Sequence, residues 1–510
     1  MESDILFESD IVEGSSPPLR HLDSLNISSD VKRRISNFLK YIVNGSDSVY
    51  ISPIGDSYGP DKLLLEWDEV FHSNKHKVND VLFDLEMSNK AKFGPRSISK
   101  PWSKRKEGLL DYFKVLNPSV SIPTEFYPSQ GTLRPVTIDN AIDNLKNDSN
   151  SGLPYFLKKG SIKQTLRGFS KEKFLAKVRE KYPCILFTRT QEGNKTRDVW
   201  GYPVFNTVYE MQYYLPLLSH QKQLSWRSAL VGPSAVDRQI TEFLFRCKND
   251  PEMCIVSVDF SAFDRSVSPV LTDSAFTYIK ALFQPRYTPD LDEIRDIFKT
   301  IGIITPDGIY YGEHGVPSGS TFTNEVDSIV QYLVAASSKV VRPDTSTAQG
   351  DDGGYLIRKI DVKTLFDAFR SAGLLVNEDK SYVSDQYCVY LQNLHHIDYI
   401  GKNGIIGGIY PTYRALNRII YQERFVNFLD DEIKGRDYYS IRTICILENC
   451  KFHPLFEELV KFVFSRDKYA LEFSGSSLRK YSRVFAQRIG SEGFANNQYG
   501  DDLSGIHNFE

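Results

Sequence analysis

Apolar residues in the middle of the chain follow two spacings, and each spacing predicts one kind of element. The run Cys254–Phe260 is short and β-branched and contains an acid near its end, which is typical of a buried strand leading to a functional site. The glycine-containing loop Gly315–Gly319 comes before apolar residues at helical spacing, so it is expected to open onto a core-facing helix. Those apolar residues are Phe322, Val326, Ile329, Val330, Leu333 and Val334.

A second amphipathic helix is predicted over 362–372. Asp361 is expected to cap its start, and Gly373 is expected to end it. Between the two helices, Gly350–Asp352 precedes the run 355–358, which predicts a β-hairpin with the aspartates at its turn. The predicted order is therefore strand, helix, hairpin, helix.

The flanking regions are less regular. Residues 1–30 are polar and are predicted to form an N-terminal arm, and the prolines over 116–137 indicate an extended connection. Helical spacing returns over 414–430 and again over 438–450.

Composition narrows the class of protein. The 510 residues have ordinary charged (25%) and apolar (41%) fractions, and this length favours several domains. The six cysteines show no paired CxxC spacing, which favours reduced, intracellular cysteine and argues against a zinc site. Neither a secretory signal nor a membrane span is expected, because long uncharged apolar runs are absent, and the protein is predicted to be cytoplasmic.

Charge is informative only locally. The net charge of −3 does not indicate a polyanionic partner, so a nucleic-acid site would depend on clustered Lys and Arg. The segment 158–197 contains twelve basic residues against three Glu, although part of it fits a solvated helix face equally well. Arg189, Lys195 and Arg197 instead flank a predicted turn at 191–194, from which they could reach phosphate groups.

Two carboxylate clusters supply the candidate chemistry. Asp259 lies near the end of the predicted strand, and Asp351 and Asp352 lie at the predicted hairpin turn. If the strand ends meet, Asp259 and Asp351 could bridge two divalent metal ions, with Asp352 as an outer or second-metal ligand. Paired metal ions of this kind serve phosphoryl and nucleotidyl transfer. A second Gly-Asp-Asp at 500–502 lacks strand-like residues and a following helix, and it is interpreted as a surface turn or tail.

Taken in order over about 150–400, these segments resemble the motifs of viral RNA-dependent RNA polymerases, in particular those of small double-stranded RNA viruses of the picobirnavirus and partitivirus type. Residues 258–264 are similar to motif A, 315–328 to motif B, and Gly350–Asp352 to motif C. Residues 373–381 resemble motif D, whose lysine, here Lys380, is implied to protonate the departing pyrophosphate.

The resemblance implies a role for each matching residue. The implied metal ligands are Asp259, Asp351 and Asp352, and together with Lys380 they form the implied catalytic set. The implied nucleotide-binding residues are Arg189, Lys195 and Arg197 of the basic motif F, Asp264 of motif A, and Ser318, Gly319, Thr323, Asn324 and Asp327 of motif B. The implied template-binding residues are Ser151, Gly152 and Pro154, which resemble motif G, with Ser318 and Gly319. Residues 390–396 fall where motif E would grip the primer.

One position departs from the pattern of many positive-strand viral polymerases. Asp327 stands where those enzymes have Asn, so two acids, Asp264 and Asp327, would face the same ribose. Both cannot remain ionised and unpaired. Three arrangements stay open: the acids share a proton, an arginine or water intervenes, or Asn324 takes over the hydrogen bond to the 2′-hydroxyl.

The fold implied by the resemblance is α+β, a right-hand polymerase fold with an antiparallel palm sheet and a closed ring of fingers and thumb. The implied division is an arm over 1–30, fingers over 31–200 with an insertion near 283–312, a palm over 201–282 and 313–400, and a thumb with a C-terminal tail over 401–510.

The implied function is template-directed, primer-independent RNA synthesis that transcribes and replicates a viral RNA genome from ribonucleoside triphosphates. The implied cofactor is Mg²⁺, with Mn²⁺ as the alternative. The implied partners are RNA template and product and a viral capsid protein, without a membrane, and the implied location is the host cytoplasm, inside the virion.

Three alternatives remain at this point. A reverse transcriptase shares the metal site, but it typically has a bulky aromatic residue at the position of Asp264 and lacks the glycine that Gly350 supplies. A non-catalytic, capsid-associated RNA-binding protein would not need the acids, Lys380 and the basic turn together. A metal-dependent nuclease explains the acids alone.

Overall fold

A computed structural model describes residues 20–114, 118, 122–128, 131–424 and 435–478. Most of the predicted N-terminal arm, the tail beyond 478 and the second Gly-Asp-Asp at 500–502 lie outside the described residues. The described helices are α1 (Ser29–Asn44), α2 (Pro53–Tyr58), α3 (Pro60–Ser73), α4 (Asp80–Lys90), α5 (Lys106–Leu110), α6 (Ile138–Asp143), α7 (Lys159–Arg167), α8 (Lys171–Arg179), α9 (Val204–Gln221), α10 (Pro233–Asn249), α11 (Phe263–Ser266), α12 (Pro269–Leu282), α13 (Thr288–Thr300), α14 (Thr323–Ser337), α15 (Val362–Ser371), α16 (Thr412–Ile420), α17 (Gly435–Glu448) and α18 (Phe456–Phe464).

The strands form small sheets between these helices. They are β1 (Tyr50–Ile51), β2 (Cys184–Gln191), β3 (Lys195–Gly201), β4 (Met253–Val258), β5 (Ile303–Ile304), β6 (Ile309–Tyr310), β7 (Ser346–Gln349), β8 (Asp352–Arg358), β9 (Tyr382–Ser384), β10 (Tyr387–Tyr390), β11 (Asn393–His396) and β12 (Tyr421–Gln422). Two four-stranded sheets, ordered β7-β8-β4-β9 and β3-β2-β5-β6, position the candidate acidic and basic residues.

The first sheet is antiparallel throughout and confirms the predicted strand and hairpin. β4 pairs with β8 in a register that sets Val258 opposite Gly353, and β7 pairs with β8 so that Gln349 faces Asp352. β9 pairs along the other edge of β4. Because antiparallel neighbours run in opposite directions, the end of β4 and the start of β8 lie at the same edge of the sheet.

The second sheet presents the basic segment. β2 and β3 form the hairpin whose turn at 191–194 was predicted, and Arg189 and Arg197 are directly cross-strand in it. β5 pairs parallel with β2, so the segment 283–312 contributes strands to this sheet.

The predicted cap at the start of α15 does not form. α15 begins where predicted, but Asp361 makes no capping hydrogen bond: it ends a 3-10 turn with helical φ and ψ of −93° and −3°, whereas a capping residue needs extended backbone. Gly373 ends this helix as predicted, with a φ of 81°.

The helix predicted over 414–430 is wrong at 421–424, and its last part, 425–430, lies outside the described residues. α16 stops at Ile420, because Tyr421 and Gln422 leave the helix to pair with Ile51 and Tyr50 as β12. This pairing to a distant segment outweighs the local helical spacing, while the predicted helix over 438–450 is confirmed as α17.

The N-terminal and C-terminal parts of the described chain share one hydrophobic core. Trp67 and Phe71 of α3 pack with Tyr413 and Leu416 of α16 and with Leu459 of α18. A larger core joins α9, α12, α14 and α15 around the sheet that carries the aspartates. Within the described residues, no helix is long and apolar enough to cross a membrane.

A buried carboxylate joins the two parts of the first of these cores. Glu86 of α4 accepts hydrogen bonds from the backbone nitrogens of Thr412 (2.7 Å) and Tyr413 (3.2 Å) at the start of α16. The ring Nε2 of His453 lies 2.8 Å from the same carboxylate. Glu86 thus satisfies the first N–H groups of α16, which have no partner inside the helix.

Replacing this carboxylate should destabilise the fold. We expect Glu86→Ala to lower the free energy of unfolding by about 3 kcal/mol, because it leaves several buried donors without an acceptor. Urea denaturation followed by tryptophan fluorescence measures the loss, since Trp67 lies in this core and donates to Thr412. Glu69→Ala, at an exposed site on α3, is the control and should change stability by less than about 0.5 kcal/mol; equal losses would contradict the role of Glu86.

Candidate active site

Three aspartates gather at one edge of the central sheet. Asp259 directly follows β4, and the register of β7 and β8 leaves Gly350 and Asp351 as a two-residue turn before Asp352. Gly350 has a φ of 64°, a value that favours glycine and suits the first position of a tight hairpin turn. The structure therefore brings together the three acids that the sequence predicted as metal ligands.

Two side chains of helix α14 form hydrogen bonds with the backbone of the hairpin turn. The Ser328 hydroxyl accepts a hydrogen bond from the backbone nitrogen of Gly350 (2.8 Å), and the Gln331 amide donates to the backbone oxygen of Asp351 (3.1 Å). A Cβ on Gly353 would lie only 2.9 Å from the Gln331 amide, so a larger residue there would displace this side chain. The turn bearing Asp351 is thus positioned by the helix that the apolar spacing predicted.

The segment after α15 holds Asp259 from the other side. The backbone nitrogen of Asp259 donates to the Ser381 hydroxyl (3.1 Å), and its backbone oxygen accepts from Asn377 (2.8 Å). This places Lys380 beside the acid: Lys380 is exposed, and its charge works against the burial that raises the pKa of Asp259.

The electrostatics of the acids reflect their crowding. Burial, and next the charges of Asp351 and Asp259, raise the pKa of Asp352 to about 7. Burial and then the charge of Asp351 raise the pKa of Asp264 to about 6. Carboxyl groups in this setting resist ionisation until a positive charge approaches.

The donor set fits divalent metal ions. In the described part of the chain, no three acidic, histidine or cysteine side chains are already gathered tightly enough to hold an ion. Asp259, Asp351 and Asp352 nevertheless offer only oxygen ligands, which Mg²⁺ and Mn²⁺ prefer. Their mutual repulsion is the kind that a bound cation relieves, so these three residues could hold ions after small side-chain movements.

The basic hairpin reaches the acids through two of its three predicted residues. Desolvation and then the charge of Arg197 lower the pKa of Lys195. Asp259 and Asp351 lie close enough for their charges to oppose this lowering. Arg197 likewise lowers the pKa values of Asp264 and Asp352 against burial. Arg189 points elsewhere, with its guanidinium 3.6 Å from Glu423.

The predicted ribose contacts form a second acidic group. Asp327 of α14 is buried, and burial followed by the charge of Asp264 raises its pKa well above the ordinary value. Among the described residues, Oδ1 of Asp327 has no hydrogen-bond partner. The side-chain oxygen of Asn324 already accepts from Gln349 (3.2 Å).

The remaining predicted site residues lie in two loops. The Ser318 hydroxyl donates to the backbone oxygen of Asp198 (3.1 Å), and the Thr323 hydroxyl donates to that of Pro317 (2.9 Å). Ser151 and Gly152 are buried, and the Ser151 hydroxyl accepts from Leu157 (3.1 Å) within its own loop. Pro154 is half-buried beside them. Residues 390–396, interpreted as motif E, lie in the hairpin of β10 and β11.

Two cations near the acids were not predicted. Arg414 of α16 lowers the pKa of Asp352 against burial. Desolvation lowers the pKa of Lys92, and the charges of Arg414, Lys380 and Lys195 add to this lowering. Neither belongs to a recognisable motif, and both come from segments far from the aspartates in the chain. Only the shared core of the N-terminal and C-terminal parts brings them near.

Comparisons with known proteins agree with this geometry. The family model for viral RNA-dependent RNA polymerase matches residues 101–401. A potential RNA-dependent RNA polymerase of a human picobirnavirus (strain Human/Thailand/Hy005102/-) is 29% identical over 476 residues, 85% of each chain. An RNA-directed RNA polymerase of Cryptosporidium parvum virus 1 (strain KSU-1) is 28% identical over 302 residues, which cover 53% of this chain and 56% of the relative.

Solved structures extend the likeness to nearly the whole chain. The crystal structure of the RNA-dependent RNA polymerase of a human picobirnavirus superposes with a TM-score of 0.80 at 25% identity, covering 98% of this chain and 100% of the other. The insertion-loop deletion mutant of a human picobirnavirus polymerase superposes with a TM-score of 0.79 at the same identity.

The raised pKa values predict how metal ions and pH act on stability. Asp264 (about 6) and Asp352 (about 7) have folded-state pKa values above the ordinary aspartate value of about 4, so the folded protein holds more protons between these limits. Without divalent ions, these groups should therefore make the free energy of unfolding fall as pH rises from about 4 to 7. Since metal binding needs ionised carboxylates, Mg²⁺ or Mn²⁺ should raise the melting temperature more at pH 8 than at pH 5.

Thermal unfolding of two variants checks the assignment. Asp351→Asn should reduce the metal-induced shift at pH 8, while Asp344→Asn, exposed beyond the opposite end of β7, should keep it. Equal shifts in both variants would contradict a metal site at the hairpin turn.

Proposed function

The chain belongs to the viral RNA-dependent RNA polymerase family, and from this membership we propose that it synthesises RNA by nucleotidyl transfer at two divalent metal ions held by Asp259, Asp351 and Asp352. The observation that carries the two-metal proposal is the register that sets Val258 opposite Gly353, because it places both acidic clusters at one sheet edge. Family membership also supports this reading over a reverse transcriptase, a nuclease or a non-catalytic binding protein.

Each charged group has a defined task in this proposal. When bound, the divalent ions activate the attacking hydroxyl and neutralise charge on the transferred phosphate. Lys195 and Arg197 donate charge-assisted hydrogen bonds to the oxygens of the triphosphate. Lys380, exposed and held beside Asp259 by the contacts of Asn377 and Ser381, donates a proton to the departing pyrophosphate.

For the sugar, we favour a shared proton between Asp264 and Asp327. Asp327 is buried and has the more strongly raised pKa, so it retains the proton, while Asp264 ionises first and accepts a hydrogen bond from the ribose 2′-hydroxyl. Asn324 is the weaker candidate for this contact, because Gln349 already occupies its oxygen. Ser318, Gly319 and Thr323 complete the proposed nucleotide site.

The right-hand architecture belongs to the same proposal. We assign the fingers, palm and thumb to the ranges given by the sequence resemblance, with Ser151, Gly152, Pro154, Ser318 and Gly319 along the template path. Closure of fingers on thumb is supported at the hairpin tip, where Glu192 lies 3.2 Å from Arg414 of α16. Arg189 adds its contact to Glu423 on the same side, at 3.6 Å.

The biological setting is proposed from the resemblance alone. We assign primer-independent initiation, Mg²⁺ as the ion with Mn²⁺ as a substitute, and activity in the host cytoplasm within a particle that contains a capsid partner. A C-terminal element over 485–510, outside the described residues, is our candidate support for initiation. Its removal should abolish primer-independent but not primed synthesis, and unchanged primer-independent synthesis would exclude that role.

Loss of one bridging acid should abolish RNA synthesis. We expect Asp351→Asn to lower ribonucleotide incorporation on an RNA template by at least about a thousand-fold. Without this ligand, metal ions would no longer neutralise the negative charge that develops on the phosphate in the transition state. Incorporation of labelled nucleotides with Mg²⁺ or Mn²⁺ measures the effect. The chain supplies a matched control in its second Gly-Asp-Asp: Asp501→Asn makes the same change in the same tripeptide and should keep full activity. Equal activity of the Asp351→Asn enzyme and the wild type would refute the proposal.

The ribose contacts can be tested by discrimination between nucleotides. Asp264→Ala should reduce the preference for ribonucleotides over deoxyribonucleotides by about ten-fold or more, because it removes the acceptor of the 2′-hydroxyl. Asp327→Asn should keep most of the preference, since an amide is also a donor at that position. The ratio of kcat/KM values for the two nucleotide types gives the result. A larger loss in Asp327→Asn than in Asp264→Ala would reverse the assignment.

A further inference from the structure

Glu210 is a buried acid that none of the motifs accounts for. It lies in the middle of α9, a helix of mainly apolar and aromatic residues, with 2% of its surface exposed. Burying a carboxylate in such surroundings is costly unless hydrogen bonds compensate for the lost water. The groups that donate these hydrogen bonds to Glu210 should therefore indicate its role.

The hydrogen bonds of 2.8–2.9 Å to Glu210 come from one loop, and the Tyr202 hydroxyl also interacts with this carboxylate. The Ser320 hydroxyl lies 2.9 Å from both carboxylate oxygens, and the backbone nitrogen of Thr321 donates to one of them (2.8 Å). The Ser320 oxygen in turn accepts from the backbone nitrogen of Phe322 (3.0 Å). These residues directly follow Ser318 and Gly319 and lead into α14.

The opposite side of the same loop rests on β3. The Ser318 hydroxyl donates to the backbone oxygen of Asp198 (3.1 Å). A Cβ on Gly319 would lie 1.6 Å from the backbone oxygen of Trp200, so the two backbones touch. Asp198 is itself held by Arg105, whose Nε lies 3.1 Å from its carboxylate. The loop is thus clamped between Glu210 and the strand that carries Arg197.

We propose that Glu210 is a positioning residue for RNA synthesis, which holds the loop 318–321 so that Ser318 and Gly319 meet the template and the incoming ribose. The inference rests on the proposed function of that loop. The carboxylate joins α9 to the loop through the three contacts given above, and it makes no contact with the metal-binding aspartates. Small displacements of substrate-positioning groups reduce rates strongly, so a released loop should impair nucleotide use while the metal ligands stay intact.

Two readouts separate positioning from a merely structural role. The first is the KM and kcat for ribonucleotides on a primed RNA template. The second is hydrogen exchange in the peptide 316–323, which reports the Thr321 amide without any need for catalysis. The variants are Glu210→Gln, Glu210→Ala, Ser320→Ala and the double variant Glu210→Gln/Ser320→Ala.

Tyr209→Phe is the matched control. Tyr209 is the buried neighbour of Glu210 in α9, and its hydroxyl donates to Glu293 (3.2 Å), away from the loop. The control therefore removes one hydrogen bond to a carboxylate from the same helix turn. Its KM and the exchange rate of the loop should stay at wild-type values.

We expect Glu210→Ala to raise the nucleotide KM about ten-fold or more and to speed exchange in the loop, because the loop loses its buried hydrogen-bond acceptor. Glu210→Gln should act in the same direction but less strongly, because its amide oxygen can still accept from Thr321. Ser320→Ala should act in the same direction, and the double variant should be no worse than the more impaired single variant, because both changes break the same contact. If the Glu210 variants do not fold, Ser320→Ala alone must still produce both effects.

Wild-type KM and exchange rates in the Glu210 variants, or changes no larger than those of Tyr209→Phe, would overturn the inference. Additive effects of Glu210→Gln and Ser320→Ala would also overturn it. A wild-type enzyme that makes no RNA would instead refute the proposed function, while the exchange measurement would still decide whether Glu210 anchors the loop.

Discussion

The antiparallel pairing of β4 with β8 is the constraint on which the rest of the site depends. Its register sets Val258 opposite Gly353, so Asp259 after β4 meets Asp351 and Asp352 at the start of β8 at a single edge. A slip by one residue would turn every side chain of a strand to the other face of the sheet. The hairpin contacts to Ser328 and Gln331 oppose such a slip.

Crowding acids in this way has an energetic cost, and the surrounding structure offsets it with positive charge. Lys195, Arg197, Lys380 and Arg414 come from three separate regions of the chain, and each of them favours ionisation of at least one of the clustered aspartates. Helix α14 holds several parts of the site together. It supports the hairpin turn, carries Asp327, and is anchored beneath by the buried ion pair of Glu325 with Arg227, at 2.7 Å. The proposed metal site, the proposed sugar contacts and the proposed template loop are therefore connected through one helix.

Much of this site could be predicted from the sequence because its determinants are local. The β-branched run before Asp259, the helical spacing after Gly319 and the glycine at 350 each specify an element within a few residues. The contacts of Glu210 and Glu86 could not be predicted, because their partners lie more than a hundred residues away. The same reason explains the early end of α16, where pairing with Tyr50 and Ile51 outweighs helical spacing. Asp361 failed as a cap because a preceding turn, invisible in the pattern, gave it helical backbone angles.

The central claim is that Asp259 and Asp351 share a pair of divalent ions, and a structure with bound substrates tests it most directly. Crystals grown with template–primer RNA, a non-hydrolysable ribonucleoside triphosphate and Mn²⁺ allow the ions to be located by anomalous scattering. We predict two peaks about 3.5–4 Å apart that contact both aspartates and the triphosphate. Ions coordinated without Asp259 or without Asp351, or a triphosphate bound away from this sheet edge, would contradict the account.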